Sequence, residues 1–388
     1  MSDPFPIRAN GTRFDTPTRD ALGLMARAGR GWTYSLYDVK HARQQRWRFG
    51  VQYQFGNDWL IDAAYAGSFS DRVPVNLPLT PLAEKYWATG LVRDNNIANN
   101  LNGNVTNPFA IANFSSLASS APVIYQDLTT QGFFTSSTIR KNQLLRAFPQ
   151  LNSVTQRLTP VGEAKTHELA IQVQKRFSKG FNMNFNYVRQ KADQRTSYLN
   201  EFDASPFWVA SNNGRPHRIT ATGIYEFPFG KGRRWAQRGL RSHAFGGFQA
   251  AATYEWQPGP LLDWGNLFYY GKLEDIGTGE RTLDRWFNPA GFETNSAKGP
   301  AAFHSRIFPT RIDGLRSDMT NQWNVNVQRD FRIKERVTFQ VRVDALNIQN
   351  RTQFDTPGLN PFSTDFGRIT GQTNTRNRFL QLQGRIRF

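Results

Sequence analysis

The sequence predicts an all-β chain, a segment of an antiparallel transmembrane β-barrel with long extracellular loops. Three observations predict it: apolar and polar residues alternate over one segment after another, short and long connections take turns between these segments, and aromatic residues flank the short connections. Successive side chains of an extended strand point to opposite faces, so such alternation marks a strand with one apolar and one polar face. No segment of comparable length carries a 3.6-residue apolar period, which argues against helices as the framework.

Residues 1–42 read as an N-terminal segment with one partial strand near Trp32, Tyr34 and Leu36, and residues 43–388 as part of the barrel. Trp47, Phe49, Val51, Tyr53 and Phe55 alternate with Arg48, Gly50, Gln52 and Gln54; after Gly56-Asn57-Asp58 the apolar face resumes at Trp59, Ile61, Ala63 and Tyr65. Leu169, Ile171, Val173 and Phe177 lead through Ser178-Lys179-Gly180 to Phe181, Met183, Phe185 and Tyr187. Asn182, Asn184 and Asn186 occupy the other face, which makes this a hairpin with an asparagine-lined inner side. Ile219, Ala221, Gly223, Tyr225 and Phe227 form the next strand, and Phe248, Ala250, Ala252, Tyr254 and Trp256 another. Trp323, Val325 and Val327 alternate with Asn324, Asn326 and Gln328; Val337, Phe339, Val341, Val343 and Ala345 alternate with Thr338, Gln340, Arg342 and Asp344. The tail RFLQLQGRIRF sets Leu380, Leu382, Gly384, Ile386 and Phe388 against Gln381, Gln383, Arg385 and Arg387. About nine or ten strands result, each near the roughly 9–11 residues that a tilted membrane strand needs.

The connections decide which face is wet. Those around Asn57, Lys179, Lys231 and Lys334 are short, and they alternate with long ones at 69–164, 190–215, 257–321 and 348–376. Soluble sheets rarely place about 95 or about 65 residues between neighbouring strands. Outer-membrane barrels combine short periplasmic turns with long outer loops, and turn their apolar face to lipid and their polar face to a wet lumen. Phe55, Trp59, Phe177, Phe181, Phe227, Trp235, Phe331 and Phe388 fall at the level of the short turns, as a girdle at a membrane interface does. In a soluble sheet the same rings would staple hairpins.

Composition narrows the function. A hydrophobic fraction of 39% with 14% aromatics is that of a folding chain. The net charge of +18 invites a nucleic-acid partner, but the arginines are scattered through alternating segments rather than gathered in one patch, so no nucleic acid is expected. There is no cysteine, which removes disulfides and thiolate chemistry, and no run of about 18 apolar residues that would form a spanning helix. The start, MSDPFPIRAN, has no basic segment followed by an apolar core, so the expectation is that an exported form carries its leader elsewhere. His41, His167, His217, His243 and His304 show no metal-ligand spacing, and no nucleophile elbow, phosphate loop or dinucleotide fingerprint is present. No enzyme activity, cofactor or metal is expected. Glu274, Asp275, Glu280 and Asp284 match no Ca²⁺-loop spacing and read as solvated loop charge.

The segment QWNVNVQRDFRIKERVTFQVRVDALNIQNRTQFDTPG, followed by FGRITG and the alternating tail, resembles the C-terminal barrel end of Oar-like TonB-dependent outer-membrane receptors. Further echoes are Asn107-Pro108-Phe109, the stretch from Leu144 to Gln150, RPHRITATGIYEFPFGKGRRW, and Trp286-Phe287-Asn288-Pro289 with Phe292. The resemblance covers most of residues 43–388 and rests on the shared order of these phrases. It implies a receptor in the outer membrane of a Gram-negative bacterium, with a barrel of about 22 strands. It also implies an upstream plug domain, a segment that engages the TonB system, and an unknown small ligand taken up by the intact protein. The expectation is therefore of a barrel segment read without the plug and the TonB-contacting segment.

Phe388, with Leu382, Gly384 and Ile386, matches the terminal signal by which the resemblance implies recognition by the barrel-assembly machinery. Gln340, Arg342, Asp344, Gln381, Gln383, Arg385 and Arg387 are the lumen-facing candidates, with simple solvation as the competing reading. Trp264, Tyr269, Tyr270 and Trp286 suit stacking on a ligand, and equally suit packing the loop against itself. Two other functions compete: a small self-closing outer-membrane barrel with a structural or adhesive role, and a soluble basic binding protein.

Overall fold

The computed structural model describes residues 5–7, 13–14, 19–334, 337–373 and 377–388. Its strands are β1 (Gly31–Ser35), β2 (Arg43–Phe55), β3 (Trp59–Pro78), β4 (Asn104–Thr106), β5 (Thr138–Arg140), β6 (Ser153–Ser178), β7 (Phe181–Arg195), β8 (Val209–Ala210), β9 (His217–Glu226), β10 (Phe248–Gln257), β11 (Thr320–Lys334), β12 (Val337–Leu346) and β13 (Phe379–Arg387). One wall runs β2-β3-β6-β7-β9-β10-β11-β12-β13, and every neighbouring pair in it is antiparallel. It is an open antiparallel sheet, an all-β barrel segment, with β2 and β13 as its edges.

The hairpins form for local reasons. At Lys179 and Gly180 both φ angles are positive, 51° and 85°, the geometry of a tight turn whose twist matches that of the strands it joins. Phe55 and Trp59 stack across their turn at 5.7 Å, and Phe331 faces Phe339 at 6.4 Å.

Register puts like with like across the wall. On one face Ile61 pairs with Val173, Val173 with Phe185, Val327 with Val343, and Val343 with Leu382. On the other, Gln52 donates to Asp62 at 3.4 Å, Gln172 to Asn184 at 3.2 Å, Gln328 to Gln249 at 2.6 Å and Gln340 to Asp330 at 2.8 Å. Neither of the two buried apolar clusters among the described residues contains a wall residue. Both lie in the connections. The apolar face of the wall is thus uncovered by protein, with Phe49, Val51, Leu380 and Leu382 exposed, as a lipid-facing surface requires.

Three expectations need correction. The partial strand near Trp32 is real as β1 but pairs in parallel with the start of β6, Gly31 opposite Ser153, so it is not a tenth wall strand. The connection around Lys231 is long, spanning 227–247 with a helix at Gly239–Phe245. The strands also exceed the membrane length: β3 has 20 residues and β6 has 26, and the first long loop is correspondingly 79–152. Register shifts around Val73 and Pro74, which faces Pro160, break the alternation there, so the period-2 pattern ends before the strands do. The same loop carries helices at Asn95–Asn102 and Pro122–Thr129. The turn at Lys334 reaches residues 335–336, which lie outside the described set.

In the complete barrel, with the preceding part of the reading frame, replacing Val343, central on the outward face of β12, by Arg is expected to destabilise the protein in lipid vesicles by about 2–4 kcal/mol. Gln383→Arg, on the opposite face of β13, is expected to change stability little. Denaturant titration followed by tryptophan fluorescence measures both.

Candidate functional site

The last two long connections, 258–319 and 347–378, build one body at the loop end of the wall. Leu262, Trp264, Leu267, Tyr269, Ile276, Trp286, Phe287, Phe292, Phe308, Leu315 and Ile369 form its buried core. Trp264 contacts the rings of Phe287, Phe292 and Phe308 with centroids 5.0, 5.5 and 5.7 Å away. Backbone bonds tie the two connections together: Trp286 N–H donates to Gly367 O at 2.7 Å and Ile369 N–H to Leu283 O at 2.7 Å. Asp318 is buried and accepts from Arg351 at 2.7 Å and from Phe354 N–H at 3.0 Å.

Guanidinium groups act as struts. Arg306 donates to Phe308 O at 2.8 Å and Trp264 O at 2.6 Å, and Arg316 to Gly214 O and Gly259 O, both at 3.2 Å. Burial lowers both from the ordinary arginine range, because desolvation disfavours the charged form. The phrases that carry the family resemblance sit at such ties. Asn107 is buried; its carboxamide donates to Phe133 O at 2.7 Å and Ser136 O at 2.9 Å and accepts from Phe109 N–H at 2.9 Å. Asn288 donates to Asp275 O at 3.1 Å beside the buried Trp286 and Phe287.

Beside this core opens a cavity of ≈ 720 Å³ whose lining includes Trp256, Arg281, Trp286, Arg316, Asp318 and Phe354. A second, of ≈ 320 Å³, shares Pro216, His217, Asp313 and Arg316 with it. Two indoles and a phenyl ring suit stacking on a flat ligand, while the guanidinium groups of Arg281 and Arg316 share the lining with the carboxylates of Asp313 and Asp318. Arg281 lies over the Trp286 ring at 5.7 Å, and the Trp286 indole donates to Arg316 O at 2.8 Å.

The loop candidates are divided by the fold. Trp264 and Tyr269 are buried in the core, the Tyr269 hydroxyl donating to Lys272 O at 2.9 Å. Tyr270 is exposed and its hydroxyl donates to Glu293 at 3.1 Å. Trp286 is almost buried, with its edge on the larger cavity. Arg281 and Arg316 were not singled out by sequence, because each lies alone in an irregular loop with no periodic or motif signal.

Of the wall candidates, Arg342 pairs with Asp344 at 2.6 Å and Arg387 with Asp330 at 3.3 Å. Gln381, Gln383 and Arg385 are exposed on the polar face of β13, opposite Asp344, Arg342 and Gln340. Leu382, Ile386 and Phe388 are exposed, and the Phe339 ring lies beside Gly384. Asp284 pairs with Arg368 at 2.7 Å, and among the described residues no three acidic or histidine side chains group as metal ligands do.

An open, inside-out antiparallel wall capped by self-packed loops defines a segment of a membrane β-barrel. The chain belongs to the outer membrane beta barrel domain family, whose model matches residues 1–381, and its place is the outer membrane. Solved structures similar to it include the outer membrane transporter YddB from Escherichia coli, at 12% identity and a TM-score of 0.42 over 92% of this chain and 34% of that one. The FrpB iron transporter from Neisseria meningitidis is similar at 11% identity and 0.38, over 92% and 32%. The ferripyoverdine receptor of Pseudomonas aeruginosa is similar at 11% and 0.36, over 90% and 27%. The chain thus spans about a third of the length of these proteins. No curated protein sequence matches it.

Phe287, fully buried at the centre of the loop core, gives a direct test of that core. Phe287→Ala is expected to cost about 3–5 kcal/mol of local stability. Hydrogen exchange should then rise across 258–319 and 347–378 while the wall amides stay protected.

Proposed function

We propose that the chain is the C-terminal part of the barrel of an Oar-like TonB-dependent receptor, whose intact form captures a small ligand at the cell surface and imports it. In this reading a plug domain and the TonB system act with it, and Phe388, Ile386, Gly384 and Leu382 serve the barrel-assembly machinery. Ligand capture falls to the loop body, with Trp286, Arg281 and Arg316 at its cavity and Tyr270 on its exposed side.

The observation that carries the reading is the parity of the wall. Among the described residues nine strands joined by antiparallel pairings leave β2 and β13 pointing the same way. Closing them on each other, or on the edges of a second copy turned about the barrel axis, would create a parallel junction. Outer-membrane barrels of single bacterial chains close antiparallel with even strand numbers, and hydrocarbon does not tolerate an open edge. An odd number of further strands completes the wall, as a barrel of about 22 strands requires. The same parity disfavours the small self-closing barrel.

The test is reconstitution of this chain in outer-membrane lipid with and without the preceding part of its reading frame. The expected result is a protease-resistant, heat-modifiable barrel only when the preceding part is supplied. A closed, protease-resistant monomer formed by residues 1–388 alone would overturn the receptor-segment reading in favour of the small barrel. In the complete receptor, Trp286→Ala combined with Arg281→Gln is expected to weaken ligand uptake at least tenfold, read by whole-cell accumulation of candidate small aromatic ligands.

A further inference from the structure

The outward face changes chemistry just beyond the Tyr65 and Tyr187 rings. On β6, β7 and β9 the next outward residues are His167, Arg189, Lys191 and His217, with His167 opposite Lys191 and Arg189 opposite His217. His167, Arg189 and Lys191 are exposed. Each histidine is anchored from below: the Tyr65 hydroxyl lies 2.7 Å from Nδ1 of His167, and the Tyr187 hydroxyl 2.8 Å from Nδ1 of His217. The same tyrosine–histidine arrangement thus recurs on neighbouring strand pairs, with ring planes 22° and 23° apart.

Arg189 and Lys191 have no acidic partner among the described residues, although other cations at this end of the wall do: Arg43 pairs with Asp71, and Arg195 with Glu163. The next outward carboxylate on β7, Asp193, stands opposite Lys165, which itself lies over the Trp208 ring at 4.5 Å. Arg189 and Lys191 stand two residues apart on this face of β7, about 7 Å, and like charges so placed repel, so this arrangement favours an anion from outside the chain. Arg189 lies one two-residue step, about 7 Å, past Tyr187 along β7, where a lipid-facing wall leaves the hydrocarbon and enters the headgroup layer.

We propose that His167, Arg189, Lys191 and His217 form a binding face for the phosphate groups of an outer-leaflet lipid. The guanidinium of Arg189 offers two parallel N–H donors to phosphate oxygens, and the Lys191 ammonium adds a point charge beside it. The occupant is a membrane lipid because these side chains project from the lipid-facing side of the wall. All four side chains line the ≈ 320 Å³ cavity, which Asp193, Asp313 and Arg316 also line, and through His217 this face adjoins the loop cavity of Trp286 and Arg281.

The complete receptor, with the preceding part of the reading frame, extracted in detergent and titrated with bisphosphorylated lipid A under native mass spectrometry, tests the proposal. Wild type is expected to hold the phosphorylated lipid, and Arg189→Gln with Lys191→Gln to bind it roughly thirtyfold more weakly, at the usual contribution of a basic side chain at an anionic surface. Dephosphorylated lipid A should bind wild type as weakly as the phosphorylated form binds the double variant. The exchange Arg189→Lys with Lys191→Arg keeps both charges and should retain binding, and unheated gel mobility reports whether each variant is folded. Should the double variant fail to fold, Lys191→Gln alone is expected to weaken binding about fivefold. Equal binding by a folded Gln variant, or equal binding of dephosphorylated lipid, overturns the proposal. Full competition by inorganic phosphate at the lipid's own concentration would mark a free-anion site and overturn it too.

Discussion

Hydrocarbon offers a backbone amide no partner except another strand, and most features of this chain follow from that. It makes the wall a succession of neighbouring antiparallel pairs, from β2 through to β13, because each hairpin supplies the partner of the strand before it. It turns the apolar side chains outward, since the solvent outside is itself apolar. It also makes the number of strands consequential. In a soluble sheet an edge is covered by water, whereas in a membrane the edges β2 and β13 need other strands.

The same constraint explains where the protein keeps its buried core. In water apolar burial orders a fold, but a wall whose outer side meets lipid and whose inner side is polar has no interior to fill. The loop body stands in water and must organise itself as a small soluble domain does. It does so with an aromatic core around Trp264 and Phe287, guanidinium struts from Arg306 and Arg316, and the buried carboxylate of Asp318. Order on the loop side is therefore independent of the membrane, and a cavity formed there keeps its shape by packing.

This division also explains what was legible in the sequence. Period-2 alternation is a local property, so the membrane portion of each wall strand, its faces and its short turns at Asn57 and Lys179 could be read residue by residue. The strand extensions above the membrane could not, because Pro74, Pro160 and the register shifts between β3 and β6 interrupt the pattern. The parallel strand β1 depends on a partner more than a hundred residues away, Trp32 opposite Val154. In the loops, composition singled out aromatics but not their directions: Tyr269 is buried and its neighbour Tyr270 is exposed. That distinction depends on contacts such as Leu283 with Ile369, which leave no periodic trace.

The basic character of the chain, at first sight a sign of nucleic acid, finds a physical place in the same frame. Cations are excluded from the hydrocarbon and admitted at its borders, where long side chains reach toward water and headgroups. Lys175, on the outward face near a short turn, bends its ammonium to Ser178 O at 3.0 Å and Phe181 O at 3.2 Å. Arg329 lies over the rings of Phe331 and Phe248, at 4.4 and 5.0 Å, and donates to Ala244 O at 2.9 Å. Lys231, Arg233, Arg234 and Arg238 cluster in the 227–247 connection on that side, while Lys165, Arg189 and Lys191 stand at the loop side of the apolar band. Two basic borders around an apolar belt match a bilayer, whose surfaces are anionic and whose centre is not. Part of the excess positive charge thus lies at the wall's two rims, and this distribution, more than the total of +18, ties the sequence to a membrane.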